Sequence, residues 1–381
     1  MTVQPNKLRV LHASAMQQVS PGKVTQLLLE AQAARVLGIP FDSVVSDRDG
    51  SIREVYALLS GDHGEGASSR ESVSRRKWPW RSFTTRVRFY SHLRRLSADY
   101  DIVLLRYLPG DPLQLLYVLL NRRPLAFVHH GFEVEELEMG YGAMSRPRYF
   151  IERTLGPVAL SRVDIIVGVT QELVDYEVDR AVSFAGRTLV YPNGGPDGID
   201  AVDDERGDVP EFLFVSSSFS SWHGLDLLVA SAASLNSSFA VHVVGSLNEQ
   251  LRRLVSSDTR FIAHGTLGPD EVARLARRCS LGISALAMWR KGMSSACVMK
   301  DRQYLSMGLP VFASHFDVFP ESFPYFVRGE PTVSCLLQEA ARFAGVSRED
   351  VALASSPYIS KKEILRVFYE QMSHSGVGEL P

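Results

Sequence analysis

At 381 residues the chain is too long for one ordinary hydrophobic core, so two domains of about 150–200 residues are expected. It is 45% hydrophobic and 22% charged, the composition of a globular protein, and its net charge of −2 gives no whole-chain case for nucleic acid. Cys279, Cys297 and Cys335 form neither a zinc pattern nor a disulfide framework, and the first residues carry no signal-peptide core, so a cytoplasmic protein is expected. In chain order, strand-like "KLRVLHAS" (7–14) is followed by a helical pattern over 23–37 and by "FDSVVSD" (41–47). After an irregular insertion come strand 101–107, a short helix over 112–120, strand "PLAFVHHG" (124–131), a helix over 146–161 and strand 164–170. The apolar run at 113–120 is far too short to span a bilayer. Continuous apolar strands separated by helices predict a parallel sheet covered on both faces.

The Gly-, Pro- and Asp-dense "YPNGGPDGID" (191–200) reads as a domain linker, and the same alternation restarts beyond it. Strands are expected at 211–217, 240–246, 260–265, 281–286 and 310–314, with helices over 224–235, 269–278 and 295–307. The fold class is therefore α/β, with two Rossmann-like doubly wound domains facing across a cleft. The expected domains are 1–195 for the acceptor, 196–350 for the donor, and a C-terminal helix over 351–381 packing back on the first. Ligands of such sheets sit outside the carboxyl ends of the strands, which is where Gly245 and Gly265 fall.

No GxGxxG follows the first strand and no GxxxxGK[ST] occurs, so nicotinamide and P-loop chemistry lack their main support. The stretch "SSSFSSWHGLDLLVAS" (216–231) instead ends a core strand in small hydroxyl residues and opens a helix at Gly224. Small side chains at a helix N-terminus leave room for a phosphate, although serine is also an ordinary helix cap.

The second half, through "SFSSWHGLDLLVAS", "HVVGS", "IAHGTLGPDEVARLARRCSLGISAL" and "VMKDRQYLSMGLPVFAS" in that order, resembles the nucleotide-sugar domain of GT-B glycosyltransferases of the glycosyltransferase 4-like group. The likeness covers about residues 200–320, and "VHHGFEVEEL" (128–137) extends it loosely to the first half. It implies a nucleoside-diphosphate-sugar donor. Where family members often carry Arg and Lys to clamp the diphosphate, this chain has Ser218 and His223. Where the family has two glutamates, it has Ser295 and Gln303. Lys300 matches a lysine that some members use on the diphosphate, and Met299, Lys300 and Gln303 resemble the matching run of xanthan-type glucuronosyltransferases. Met299, Lys300 and Gln303 are expected on one helical face, with Lys300 as a point charge and Gln303 at the ribose. In similar enzymes a histidine at His130 approaches the donor sugar or its phosphate. Glu133 would take the acceptor proton if the reaction inverts the anomeric centre. The resemblance favours retention, in which the leaving phosphate accepts it. Neither a cofactor nor a metal is expected.

Residues 70–97 hold nine Arg or Lys and one acid, Glu71, interleaved with aromatic residues. Such a segment suits an anionic membrane, at about 1 kcal/mol per basic residue, and also suits nucleic acid or a solvated face. Many enzymes of the resembled superfamily extend lipid-linked sugars, so a membrane contact through Arg75, Arg76, Lys77, Trp78 and Trp80 is expected, with no nucleic acid partner. The combined expectation is a cytoplasmic glycosyltransferase, peripheral at the inner face of the membrane, moving a hexosyl or uronosyl group to a glycan, glycolipid or metabolite in bacterial surface polysaccharide synthesis. A nucleotide-sugar epimerase and a non-catalytic glycan- or partner-binding descendant are the alternatives.

Overall fold

Strand β1 (Val10–Ser14) is buried at all five positions, which requires cover on both of its faces. It lies in a seven-stranded sheet with β2 (Phe41–Ser46), β3 (Ile52–Glu54), β4 (Ile102–Arg106), β5 (Leu125–His129), β6 (Ile165–Gly168) and β7 (Arg187–Val190). The order is β3-β2-β1-β4-β5-β6-β7, and every pair is parallel except β2 with β3. The computed structural model describes residues 7–15, 21–46, 51–55, 78–139, 145–198 and 200–374. Two units emerge: Met1–Tyr191 with Leu365–Pro381, and Pro192–Ile364.

Helices α1 (Pro21–Leu37), α2 (Trp78–Leu96), α3 (Pro112–Leu120), α4 (Glu133–Glu138), α5 (Ser145–Leu160) and α6 (Gln171–Arg180) complete the first unit with part of the C-terminal helix. Phe89 and Leu93 of α2, Tyr117 of α3 and Leu160 of α5 share one core with Val103 and Phe127 of the sheet. Asp111 caps α3 by accepting from the Leu113 N–H, and Pro112 sits at the first helical position, where its missing N–H costs nothing. Helix α2 starts at Trp78, and Pro79 is tolerated because it falls in the first turn. Arg75, Arg76 and Lys77 lie outside the described residues, and for Trp78 and Trp80 only the backbone is described.

In the second unit, β8 (Glu211–Ser218), β9 (Ala240–Ser246), β10 (Phe261–Gly265), β11 (Leu281–Ile283), β12 (Val311–Ala313) and β13 (Phe326–Arg328) form a parallel sheet of order β10-β9-β8-β11-β12-β13. Its helices are α7 (Leu225–Ala232), α8 (Glu249–Val255), α9 (Pro269–Ala276), α10 (Met299–Ser306), α11 (Val333–Arg342) and α12 (Arg348–Ile359). The direction of winding reverses between β8 and β11, and such a switch point opens a crevice at the carboxyl ends of the strands. The second unit runs to Ile364, so α12 belongs to it and not to a C-terminal segment starting at 351. From Leu365 on, α13 (Lys361–His374) belongs to the first unit, where Phe368 stacks on Tyr191 with ring centres 4.0 Å apart.

The helix expected from Ser295 begins only at Met299. Residues 294–296 are extended because their backbone is already engaged: the Ala296 N–H donates to Phe316 O, and the Phe316 N–H to Ser294 O.

Candidate functional site

The serine-rich turn lies at the switch point of the second unit. After β8 the chain makes a 3-10 turn, Ser221–His223, and Gly224 at φ 72° leads into α7. Two backbone bonds lock this turn to the end of β11: the Leu286 N–H donates to His223 O and the Ala287 N–H to Trp222 O. A Cβ on Gly224 would stand 2.8 Å from Leu286 Cβ. Gly224 is thus required first by its own backbone, through positive φ and close approach. A Cβ on Gly245 would run into the Ser216 carbonyl, whereas Gly265 needs only its positive φ.

His223 serves the turn with both ring nitrogens. Its Nδ1 accepts from the Ser220 N–H at 2.9 Å, and its Nε2 meets Ser216 Oγ at 3.1 Å. The Ser216 hydroxyl in turn donates to Ser218 O at 2.9 Å. Nδ1 as acceptor fixes a neutral ring. Burial, then the positive charge of Lys300, then that of Lys291, push its pKa down to about 3. His223 shapes the turn and brings no positive charge to it.

Positive charge arrives from two lysines remote in sequence. Lys300, in the first turn of α10, holds its Nζ 4.6 Å from the centre of the Phe214 ring. That Nζ is out of solvent and hydrogen-bonds to no described residue. Burial lowers its pKa, and the adjacent Asp301 opposes the shift. Lys291 ends a 3-10 turn, Met288–Lys291, is itself buried, and holds its Nζ 4.9 Å from the centre of Trp222. Lys300 thus lies on a residue of β8 and Lys291 on a residue of the turn that follows it, and both charges bear on His223. The neighbouring Arg290 clips the two turns together: it donates to Ser221 O at 2.7 Å and pairs through two bonds with Asp226 in the first turn of α7. This pairing neutralises the acid nearest the helix N-terminus.

The remaining predicted residues of this unit are more scattered. Ser218 and Gln303 are exposed, Met299 is half-buried at the start of α10, and Ser295 lies on the extended segment bridged to Phe316, off the helix. Beneath α10, Asp301 accepts from Ser284 Oγ at 2.8 Å, and buried Arg302 binds Asp317 through both guanidinium ends.

In the first unit, His130 is half-buried just after β5. Glu133 opens α4 and is buried, which pushes its pKa up to about 7. Its carboxylate lies 3.3 Å from His129 Nδ1 and shares a hydrogen bond with Glu177. Arg180 pairs with Glu177 and with Glu152, and Glu152 also accepts from Tyr107 Oη and the Gly110 N–H, each at 2.7 Å. Glu133 therefore belongs to a buried polar network. Among the described residues two groups have the donors for a metal ion: His129, Glu133 and Glu177, and Asp301, His315 and Asp317. In each, an arginine already holds one of the carboxylates.

No protein-family model matches the chain, and no curated protein sequence matches it. Solved structures match through the fold. Sucrose-phosphate synthase from Thermosynechococcus elongatus aligns with a TM-score of 0.61 at 15% identity, over 97% of this chain and 100% of that one. The lipopolysaccharide outer core galactosyltransferase WaaB aligns at 0.59 and 12%, over 96% of this chain and 99% of its own. Anabaena HepE, solved in complex with UDP and glucose, also gives 0.59 and 12%, over 96% and 100%. This chain has the GT-B glycosyltransferase fold.

Sequence reasoning missed Lys291 and Arg290 within this GT-B chain. Their signal was present as the basic pair in "MWRKG", ahead of α10, but only the fold brings it to the β8–α7 turn. Ser218 and His223 bring no positive charge to the turn. The local charge comes from Lys291 and Lys300.

Proposed function

We propose that the protein transfers a hexosyl or uronosyl group from a nucleoside-diphosphate-sugar to a glycan, glycolipid or metabolite acceptor. One observation carries this reading: the Lys300 ammonium is withdrawn from water on the Phe214 ring of β8, has no hydrogen-bond partner among the described residues, and is joined by a second lysine on Trp222 of the turn that follows. A buried ammonium without a hydrogen-bond acceptor is costly, so a site that keeps one suits an anion. A diphosphate supplies that anion, and the N-terminus of α7 adds its own partial positive charge. HepE, with UDP bound, has the same fold, which supports a nucleoside diphosphate in this role.

In transfer, negative charge builds on the departing diphosphate, and preorganised cations aimed at it lower the barrier. We assign that work to Lys300 and Lys291, without a metal or other cofactor, and place the donor along Ser218, Gly224, Met299 and Gln303. Retention of the anomeric configuration fits the buried, shared carboxylate of Glu133: the leaving phosphate takes the acceptor proton, while His130 contacts the donor sugar. The proposed setting is bacterial surface polysaccharide synthesis at the inner face of the membrane, with Arg75, Arg76, Lys77, Trp78 and Trp80 toward the lipid. The non-catalytic alternative draws on Ser295 and Gln303, which stand where the family carries glutamates.

Calorimetric titration with UDP, ADP, GDP and dTDP is the test, followed by product analysis with the matching sugar donors. Binding of one nucleoside diphosphate at about micromolar Kd is expected. Binding without turnover favours the non-catalytic alternative, conversion of donor alone favours an epimerase, and no binding at all overturns the donor site.

A further inference from the structure

Helix α3 turns Leu116, Leu119 and Leu120 outward at 50%, 55% and 47% exposure, while Tyr117 and Val118 enter the core. The spacing i, i+3, i+4 makes one stripe along the helix. Helices α2 and α5 both pack against α3 over the same core, and they add exposed Phe83 and, at 66%, Phe150. Among the described residues the exposed charges of this region are mostly arginines: Arg88, Arg94 and Arg95 on α2, Arg122 and Arg123 after α3, and Arg146 and Arg153 on α5, with Asp99 after α2 an exposed acid beside Arg123. The three helices contain a single acid, Glu152, which is buried and paired with Arg180. The cap residue Asp111 is likewise buried, bound by Arg86 and Tyr90. The pattern stops at its neighbours, since α4 exposes Glu136 and Glu138 and α6 exposes Asp175 and Asp179.

We infer that the outward face of α2, α3 and α5 docks on an anionic lipid surface. An apolar stripe enters the headgroup boundary and the arginines beside it pair with lipid phosphates, each process reinforcing the other. Predominantly positive charge fits a surface of opposite sign better than a second copy of the same face, whose arginines would repel. Leucines at the centre have no use on a nucleic acid, where aromatic stacking and phosphate pairing supply the affinity. The inference extends the membrane part of the proposed function to residues of the folded unit and does not depend on the donor site.

The test is co-sedimentation of the full chain with phosphatidylglycerol–phosphatidylcholine vesicles and with phosphatidylcholine alone. Wild type binds the anionic vesicles and releases as salt rises toward ~1 M, where charge is screened within about 3 Å. The variant Leu116→Ser/Leu119→Ser/Leu120→Ser and the variant Arg94→Glu/Arg95→Glu each weaken partition by about tenfold or more, in line with the lost apolar burial and charge. UDP titration of the same variants is unchanged, which separates failure of this face from failure of the donor site. Four results overturn the inference: wild type stays in solution, the leucine variant partitions like wild type, wild type is a dimer that the leucine variant dissociates, or the arginine variant loses RNA and not vesicles.

Discussion

Lys300→Met removes the ammonium but keeps an unbranched apolar chain against Phe214, so stability and binding should move in opposite directions. In the free protein the Nζ makes no hydrogen bond to a described residue and is out of solvent. Deleting it relieves a buried polar group that costs about 1–3 kcal/mol, partly offset by the lost contact with the Phe214 ring. A net gain of about 1 kcal/mol raises Tm by about 2–4 °C for a domain of this size. With a diphosphate bound, the same ammonium makes a charge-assisted contact worth about 1.5–3 kcal/mol. Its loss weakens UDP about 10- to 150-fold. Burial lowers the Lys300 pKa, and only the protonated form pairs with phosphate, so wild-type affinity falls as pH rises through that lowered value. The variant's affinity lacks this dependence. Thermal unfolding of both proteins with and without UDP, plus calorimetry across pH, reads all of these quantities. A variant that loses Tm and binds UDP like wild type would refute the reasoning.

Lys291→Ala should weaken UDP by a similar order, about tenfold or more, and should also remove the charge that Trp222 now faces; calorimetry decides it. Glu133→Gln should flatten a pH-dependent segment of stability. The folded carboxyl is raised to about 7, so the folded state binds the extra proton between the unfolded value and about 7, and wild-type stability falls as pH rises through that window. Urea unfolding at the two ends of the window should differ by about 2–3 kcal/mol in wild type and less in the variant. Its turnover should stay within about tenfold of wild type, whereas a loss of about 1000-fold would make Glu133 the base of an inverting transfer. His130→Ala should lower kcat while leaving the UDP Kd unchanged, and a Kd that shifts instead would place His130 on the nucleotide. Gly224→Ala should destabilise the second unit by about 1–3 kcal/mol in urea unfolding, because φ 72° and the Leu286 contact both oppose a side chain.

The sheets were the legible part of this sequence. Apolar runs such as "VLHAS", "LAFVH" and "FLFV" are continuous because both faces are covered, and that signal needs no tertiary information. The start of α10 was not legible. Residues 295–298 look helical in isolation, but the backbone at 294–296 pairs with Phe316, which comes after β12. The turn at 216–224 was legible as a strand-to-helix turn opening at Gly224 but not in its parts. Gly224 answers to Leu286, and His223 is consumed by Ser216 and Ser220. Lys291 gave no local sign of its position, because only the crossover from β11 brings it to Trp222. Glu133 read as an available carboxylate, since nothing near it in sequence announces Glu177 or Arg180.

A crystal structure with UDP bound addresses the central claim most directly, because it locates the phosphates themselves. The account predicts the diphosphate at the N-terminus of α7, with Lys300 Nζ turned from the Phe214 ring to within about 2.7–2.9 Å of a phosphate oxygen and Lys291 close by. UDP bound elsewhere, or bound at this turn with Lys300 still lying on Phe214, would contradict it.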